Sequence, residues 1–203
     1  MAECDEILDR LRSLGDPRNV EGMTRYGIRT KKAFGVSAPQ LRQLAKELRK
    51  DHDLADLLWR TGVHDARILA ALIDDPALVT TKQMDRWAED FDTWAVCDSA
   101  CGSLFDKTPY AWDKAVAWIE REEEYVMRAG FVLMAALAVH DKKASNERFE
   151  AFLSLIESHA TDVRNFVKKA VNWALRQIGK RNLYLNGLAI RAGERIRRID
   201  SRS

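Results

Sequence analysis

Proline and glycine are scarce, at 4 and 10 in 203 residues. Turn-rich all-β architectures draw heavily on both, so long helices are favoured. There are only three cysteines, Cys4, Cys97 and Cys101. An odd count with no paired framework argues against a disulfide scaffold and suits a reducing compartment. Cys97 and Cys101 stand one helical turn apart, but no second ligand cluster accompanies them. Buried structural thiols are therefore expected rather than a metal pair. The longest apolar run, Ala129 to Val139, is too short to span a bilayer. The opening Met1-Ala2-Glu3-Cys4-Asp5-Glu6 has no basic n-region and no apolar h-region, so no signal peptide and a cytoplasmic location are expected. A Gly-rich phosphate loop and a nucleophile elbow are both missing. His52, His64, His140 and His159 are scattered along the chain. No cofactor or metal is expected.

What is present is charge with an uneven distribution. Charged residues make up 32% and hydrophobic ones 46%, an ordinary globular composition. The net charge is +2, too mild to imply nucleic acid by itself. From residue 164 onward, however, Arg164, Lys168, Lys169, Arg176, Lys180, Arg181, Arg191, Arg195, Arg197, Arg198 and Arg202 face only Glu194 and Asp200. Acidic residues gather earlier, as in Glu120-Arg121-Glu122-Glu123-Glu124. A chain polarised in this way can hold a polyanion.

Apolar residues recur at three and four almost throughout, which predicts helices and no strand. The first runs from Cys4 to Leu14 and stops at Gly15-Asp16-Pro17. A short one follows, about Asn19 to Tyr26. The loop Gly27-Ile28-Arg29-Thr30-Lys31-Lys32-Ala33-Phe34-Gly35-Val36 is basic. Ser37 caps the next helix, with Pro39 in its first turn. Helices then come in pairs: Leu54–Trp59 with His64–Ile73, Thr81–Glu89 with Trp94–Phe105, Tyr110–Ile119 with Glu122–Val139, and Asn146–Ser158 with Thr161–Lys180. Leu183–Arg198 closes the chain. The second members resemble one another, a polar or basic residue preceding an apolar run. With Arg67, Asp98, Arg128 and Asn165 as equivalents, the repeat is about 30 to 40 residues. That spacing predicts an all-α fold: a single domain over residues 1–203, an α-solenoid of HEAT-like antiparallel helix pairs, curved, with a basic concave face lined by the second helices.

Three groups stand out on that expected face. Trp94 and Asp98 are at i and i+4, so a helix puts an indole and a carboxylate on one side, which suits a cation. The alternative is a core tryptophan and a solvated aspartate. Arg128 opens a nearly all-apolar helix and needs an anion, either a phosphate or a carboxylate such as Asp98 in a structural pair. In the Asn165 helix, Lys169, Trp173, Arg176 and Lys180 form one stripe, with Phe166 a turn earlier. Val167, Ala170, Val171, Ala174, Leu175 and Ile178 form the opposite side. Cations with an aromatic among them fit a phosphate backbone, although a solvated basic face reads equally well.

Trp94-x3-Asp98, Arg128 at the head of its helix, and Phe166-Val167-Lys168-Lys169-Ala170-Val171-Asn172-Trp173-Ala174-Leu175-Arg176, in this order, resemble the AlkD-like DNA alkylation repair family of HEAT-like-repeat DNA glycosylases. The likeness covers about residues 19 to 180. It implies excision of positively charged N3- or N7-alkylated purines from double-stranded DNA, without metal or covalent nucleophile. It implies Trp94, Asp98 and Trp173 as the active-site cleft, with Arg128 as its arginine. Tyr26 corresponds to a family tyrosine that contacts DNA, while the Gly27 to Phe34 loop departs from the family pattern. Phe166, Lys168, Lys169, Arg176 and Lys180 are the expected DNA contacts, with Lys31 and Lys32 as weaker ones. A monomer without an obligate protein partner is expected. The alternatives are a non-catalytic module binding damaged or branched DNA, and a protein-binding scaffold.

Overall fold

The computed structural model describes residues 2–30 and 32–199. Lys31, an expected phosphate contact, lies outside them. The described residues are helical, with no strand among them. They fall into two compact units, residues 1–108 and 109–203.

The first unit holds α1 (Ala2–Leu14), α2 (Pro17–Arg25), α3 (Ala38–Leu48), α4 (His52–Arg60), α5 (His64–Ile73), α6 (Thr81–Glu89) and α7 (Trp94–Ser103), then a short 3₁₀ turn at Phe105–Lys107. Several starts follow from caps legible in the sequence. Ser37 and Gln40 form a capping box at α3, and Asp51, Thr80 and Thr93 accept from backbone N–H groups at α4, α6 and α7. The second helices stack, α5 packing on α4, α3 and α7. At the centre Trp59 and Trp87 lie parallel, 3.9 Å apart, with Phe91 edge-on to Trp59. The Trp59 indole N–H donates to Asp90 Oδ2 at 2.9 Å.

The basic loop is tied to this core. Asp65, buried at the head of α5, accepts from the N–H groups of Phe34 (2.6 Å) and Val36 (2.8 Å). Gly35 has φ +80°, and a Cβ there would sit 2.4 Å from Asp16 O, so glycine is required.

The second unit holds α8 (Ala111–Ile119), α9 (Glu124–His140), α10 (Asn146–Ser158), α11 (Asn165–Gly179) and α12 (Leu183–Arg198). Helix α9 packs on α8 and α11, and is buried nearly all round, as its apolar run requires. Helix α12 covers α10 and α11. Val167, Ala170, Val171, Ala174 and Ile178 are buried as expected, while Leu175 is half-buried.

Several helix ends differ from the expected ones by one or two residues, and two differences bear on the site. Helix α11 begins at Asn165, not Thr161, because Asp162 Oδ1 accepts from the Arg164 N–H (2.8 Å) and forms a local turn that precludes helix. Asn165 therefore opens its helix, and Lys169 is the residue at the same helical position as Asp98 and Arg128. Helix α7 ends at Ser103 and tightens into the 3₁₀ turn.

Gly130 marks the closest approach of α8 and α9: a Cβ there would lie 2.6 Å from Ile119 Cγ2 and 2.8 Å from Ala115 O. Gly130→Ala is expected to destabilise the fold by about 1–3 kcal/mol through overpacking. Urea unfolding checks this; unchanged or raised stability would show that the two helices separate freely.

Candidate functional site

In the first unit the chain brings Trp94 together with Tyr26. Thr93 Oγ1 accepts from the Val96 N–H (3.3 Å) and starts α7, so Trp94 is its first residue and Asp98 lies one turn on. Both side chains are half-buried. The Trp94 indole N–H donates to the Tyr26 carbonyl at 2.9 Å. With its only donor engaged, the indole offers its π-face for contact. Tyr26 itself is 72% exposed. Together with Arg18, Asn19, Gly22, Met23 and Ile28 these two aromatics line an open, mainly apolar groove of about 380 Å³. On the core side of α7, Cys97 and Cys101 are buried thiols outside any disulfide, and burial pushes Cys101 well above its ordinary pKa.

Residues the sequence reading did not assign to the site hold the approach to α7. Arg67 donates to Asp90 O at 2.8 Å, lies 3.6 Å from the Asp90 carboxylate and 3.9 Å from that of Asp92, and packs over Trp59. The recurrence of a polar residue at the head of each second helix was the signal that could have found it. His64 is buried beside Arg67 and Asp92. Its Nδ1 has no hydrogen-bond partner, and burial lowers its pKa despite Asp65 and Asp92.

In the second unit the chain brings Arg128, Phe166 and Lys169 together. Arg128 is 6% exposed and donates from Nη1 to Phe166 O at 2.7 Å. Glu124 Oε1 accepts from the Phe166 N–H at 3.3 Å. The Phe166 ring lies 5.6 Å from that of Tyr125, and Lys169 Nζ lies 5.8 Å above it. Trp173 is half-buried two turns along the same side. Lys168, Lys169, Arg176 and Lys180 are all exposed. Arg164 secures the start of α11: it pairs with Asp162 and donates to Glu122 O at 2.5 Å. Those hydrogen bonds hold Asp162 below the usual carboxylate range and raise Arg164. Tyr125 and Arg164 were not singled out from sequence, since neither lies on the expected stripe. Lys32, the weaker candidate, is exposed in the first unit.

Residues 7–196 fit the model of the DNA alkylation repair enzyme family. The chain belongs to that family. Two curated relatives, Uncharacterized protein Lin0241 of Listeria innocua and Uncharacterized protein Lmo0209 of Listeria monocytogenes, are 26% and 24% identical over 135 residues. Those matches cover 64% of this chain and 60% of the relatives' length. A solved structure of "a new family of proteins related to the HEAT-like repeat DNA glycosylases with affinity for branched DNA structures" aligns with TM-score 0.85 and 22% identity, over 95% of this chain and 82% of that one. The fold of this family member is thus the HEAT-like repeat fold. Among the described residues no helix is long and apolar enough to cross a membrane.

The lowered His64 pKa carries a pH dependence. Its folded value lies below the unfolded value of about 6.5, so its contribution to stability is present above that pH and lost as pH falls through the folded value. Between pH ~7 and ~5, the parent protein is expected to lose more unfolding free energy than His64→Leu. Urea titrations of both proteins at the two pH values compare the losses; an equal or greater loss in the variant would remove His64 as the cause.

Proposed function

We propose that the protein is a DNA glycosylase that hydrolyses the N-glycosidic bond of positively charged N3- or N7-alkylated purines in double-stranded DNA. The observation that carries this reading is the indole and carboxylate of Trp94 and Asp98 on one face of α7, the indole N–H already engaged by the Tyr26 carbonyl.

Alkylation at N3 or N7 gives the purine a positive charge and weakens its bond to C1′. As that bond breaks, charge moves to the sugar. A fixed carboxylate stabilises the developing oxocarbenium and orients the attacking water, and this is the role of Asp98. The π-face of Trp94 attracts the same charge. Trp173 and Arg128 of the second unit act on the same DNA, the tryptophan through its ring and the arginine through its guanidinium. Phe166, Lys168, Lys169, Arg176 and Lys180 hold the backbone, with Tyr26 and Lys32 adding contacts from the first unit. The products are a free alkylpurine and an abasic site. The whole chain acts as one domain and as a monomer, and buried cysteines outside any disulfide suit the cytoplasm.

One observation favours a second reading. The structural neighbour is described by its affinity for branched DNA. A non-catalytic module for damaged or branched DNA would use the same cations and release no base.

Chromatography of bases freed from methylated DNA separates the two readings. Asp98→Asn is expected to lower methylpurine release about a hundred-fold or more, with duplex affinity kept. Release at the parent rate would falsify the role of Asp98, and absence of release from the parent protein would leave the binding module.

A further inference from the structure

Helix α12 is fixed along its inner side. Leu185, Ala189 and Ala192 are buried where it packs on α10 and α11. Polar ties hold it to α10: Asn182 to Asn146 at 2.9 Å, Tyr184 to Glu150, and Arg195 to Glu157 through two bonds of 2.7 and 2.6 Å. The outer side is different. Leu183 is 91% exposed and Ile190 56%. They stand at i and i+7 on one row, with Gly187 between them at i+4. A Cβ at Gly187 would meet only the Arg191 guanidinium, 3.6 Å away, so packing within the chain does not ask for glycine. Its bare backbone keeps the row flat and open to close approach.

The same row continues to Arg197, and the row beside it carries Tyr184, Arg191 and Arg198, again seven apart. Arg191, Arg197 and Arg198 are exposed, and among the described residues none of these guanidiniums has a hydrogen bond or ion pair. Glu194 is the one acidic residue of the helix. The outer side is therefore apolar in its first half and cationic in its second. A phosphate backbone would use the cations but leave Leu183 and Ile190 in water. The α12 of a second copy would set cations against cations. An acidic amphipathic helix satisfies both halves, since its apolar residues cover the row and its carboxylates meet the arginines. Acidic residues are most favourable in the first turns of a helix, which places the start of such a helix against the end of α12.

We propose that the outer side of α12 docks a helix of another protein, acidic in its first half and apolar in its second, lying antiparallel to α12. From Leu183 to Arg198 the contact spans about 22 Å, or about four turns. The inference goes beyond the DNA chemistry proposed above and does not depend on it.

The probe is a fluorescein-labelled synthetic helix of 16 residues, the length of α12. It carries glutamates on the docking face of its first half and leucines on that face of its second. Fluorescence anisotropy with the full chain is expected to show saturable binding that weakens as salt is raised. Leu183→Gln with Ile190→Gln, and separately Arg191→Gln with Arg198→Gln, are each expected to weaken it about five-fold or more, the loss that marks an anchor residue. Both pairs are exposed, so the melting temperature is expected to hold. Absence of binding by the parent protein would overturn the docking site, as would unchanged affinity in both variants. A lowered melting temperature for the variant at 183 and 190 would show that the row already packs within the chain, and would overturn it too. Weaker duplex DNA binding by the arginine variant would assign the cations to nucleic acid. A parent dimer in sedimentation, abolished by the changes at 183 and 190, would assign the apolar row to a second copy. Either result overturns the acidic partner.

Discussion

Charged side chains at or just before the heads of the second helices tie neighbouring repeats together through the backbone. Asp65 accepts from the N–H groups of Phe34 and Val36, and Arg67 donates to the carbonyl of Asp90. In the second unit Arg128 donates to Phe166 O, Glu124 accepts from the Phe166 N–H, and Arg164 donates to Glu122 O. Arg181, between α11 and α12, donates to Ala138 O and Ala144 O while lying over the Phe149 ring. Most of these bonds join a charged group to a loop or to a helix-end group that regular helix bonding leaves unsatisfied, while Phe166 O, in the first turn of α11, accepts from Arg128 in addition to its helix. Apolar faces drive the pairs together without direction. These bonds set which loop meets which helix.

The candidate residues inherit their positions from these ties. Arg67 and the Trp59 indole both hold Asp90, and the chain then reaches Thr93, whose hydroxyl starts α7. Trp94 and Asp98 follow with no freedom beyond their rotamers. The first turn of α11 is gripped from both sides, since Glu124 and Arg128 of α9 take the N–H and the carbonyl of one residue, Phe166. A functional constellation placed by helix starts is only as well defined as those starts, which is why charged bonds are concentrated there. Helix α2 is the contrast. It lacks a buried face and is held by its cap and one side-chain bond to Gly35, so its inner groove stays open.

Much of this architecture is legible in the chain. The spans His64–Ile73, Thr81–Glu89, Asn146–Ser158 and Leu183–Arg198 follow from apolar period and turn residues, and the Ser37 cap follows from its type and position. The start of α11 does not, because Thr161–Arg164 carries no breaker and its turn depends on the pairing of Asp162 with Arg164. The same shift explains why Lys169, rather than Asn165, occupies the helical position of Arg128.

The sequence by itself determined that the chain is helical, that its helices pair, and that Trp94 and Asp98 share a face. Periodicity and the geometry of one helix are local properties, and neighbours along the chain suffice to specify them. Tertiary structure alone decided what meets those side chains. The carbonyl that holds the Trp94 indole belongs to Tyr26, 68 residues earlier, and Phe166 O reaches Arg128 across 38. Contacts at such separations depend on how loops are closed and which backbone groups remain unsatisfied after packing, and no local pattern of residue types encodes that.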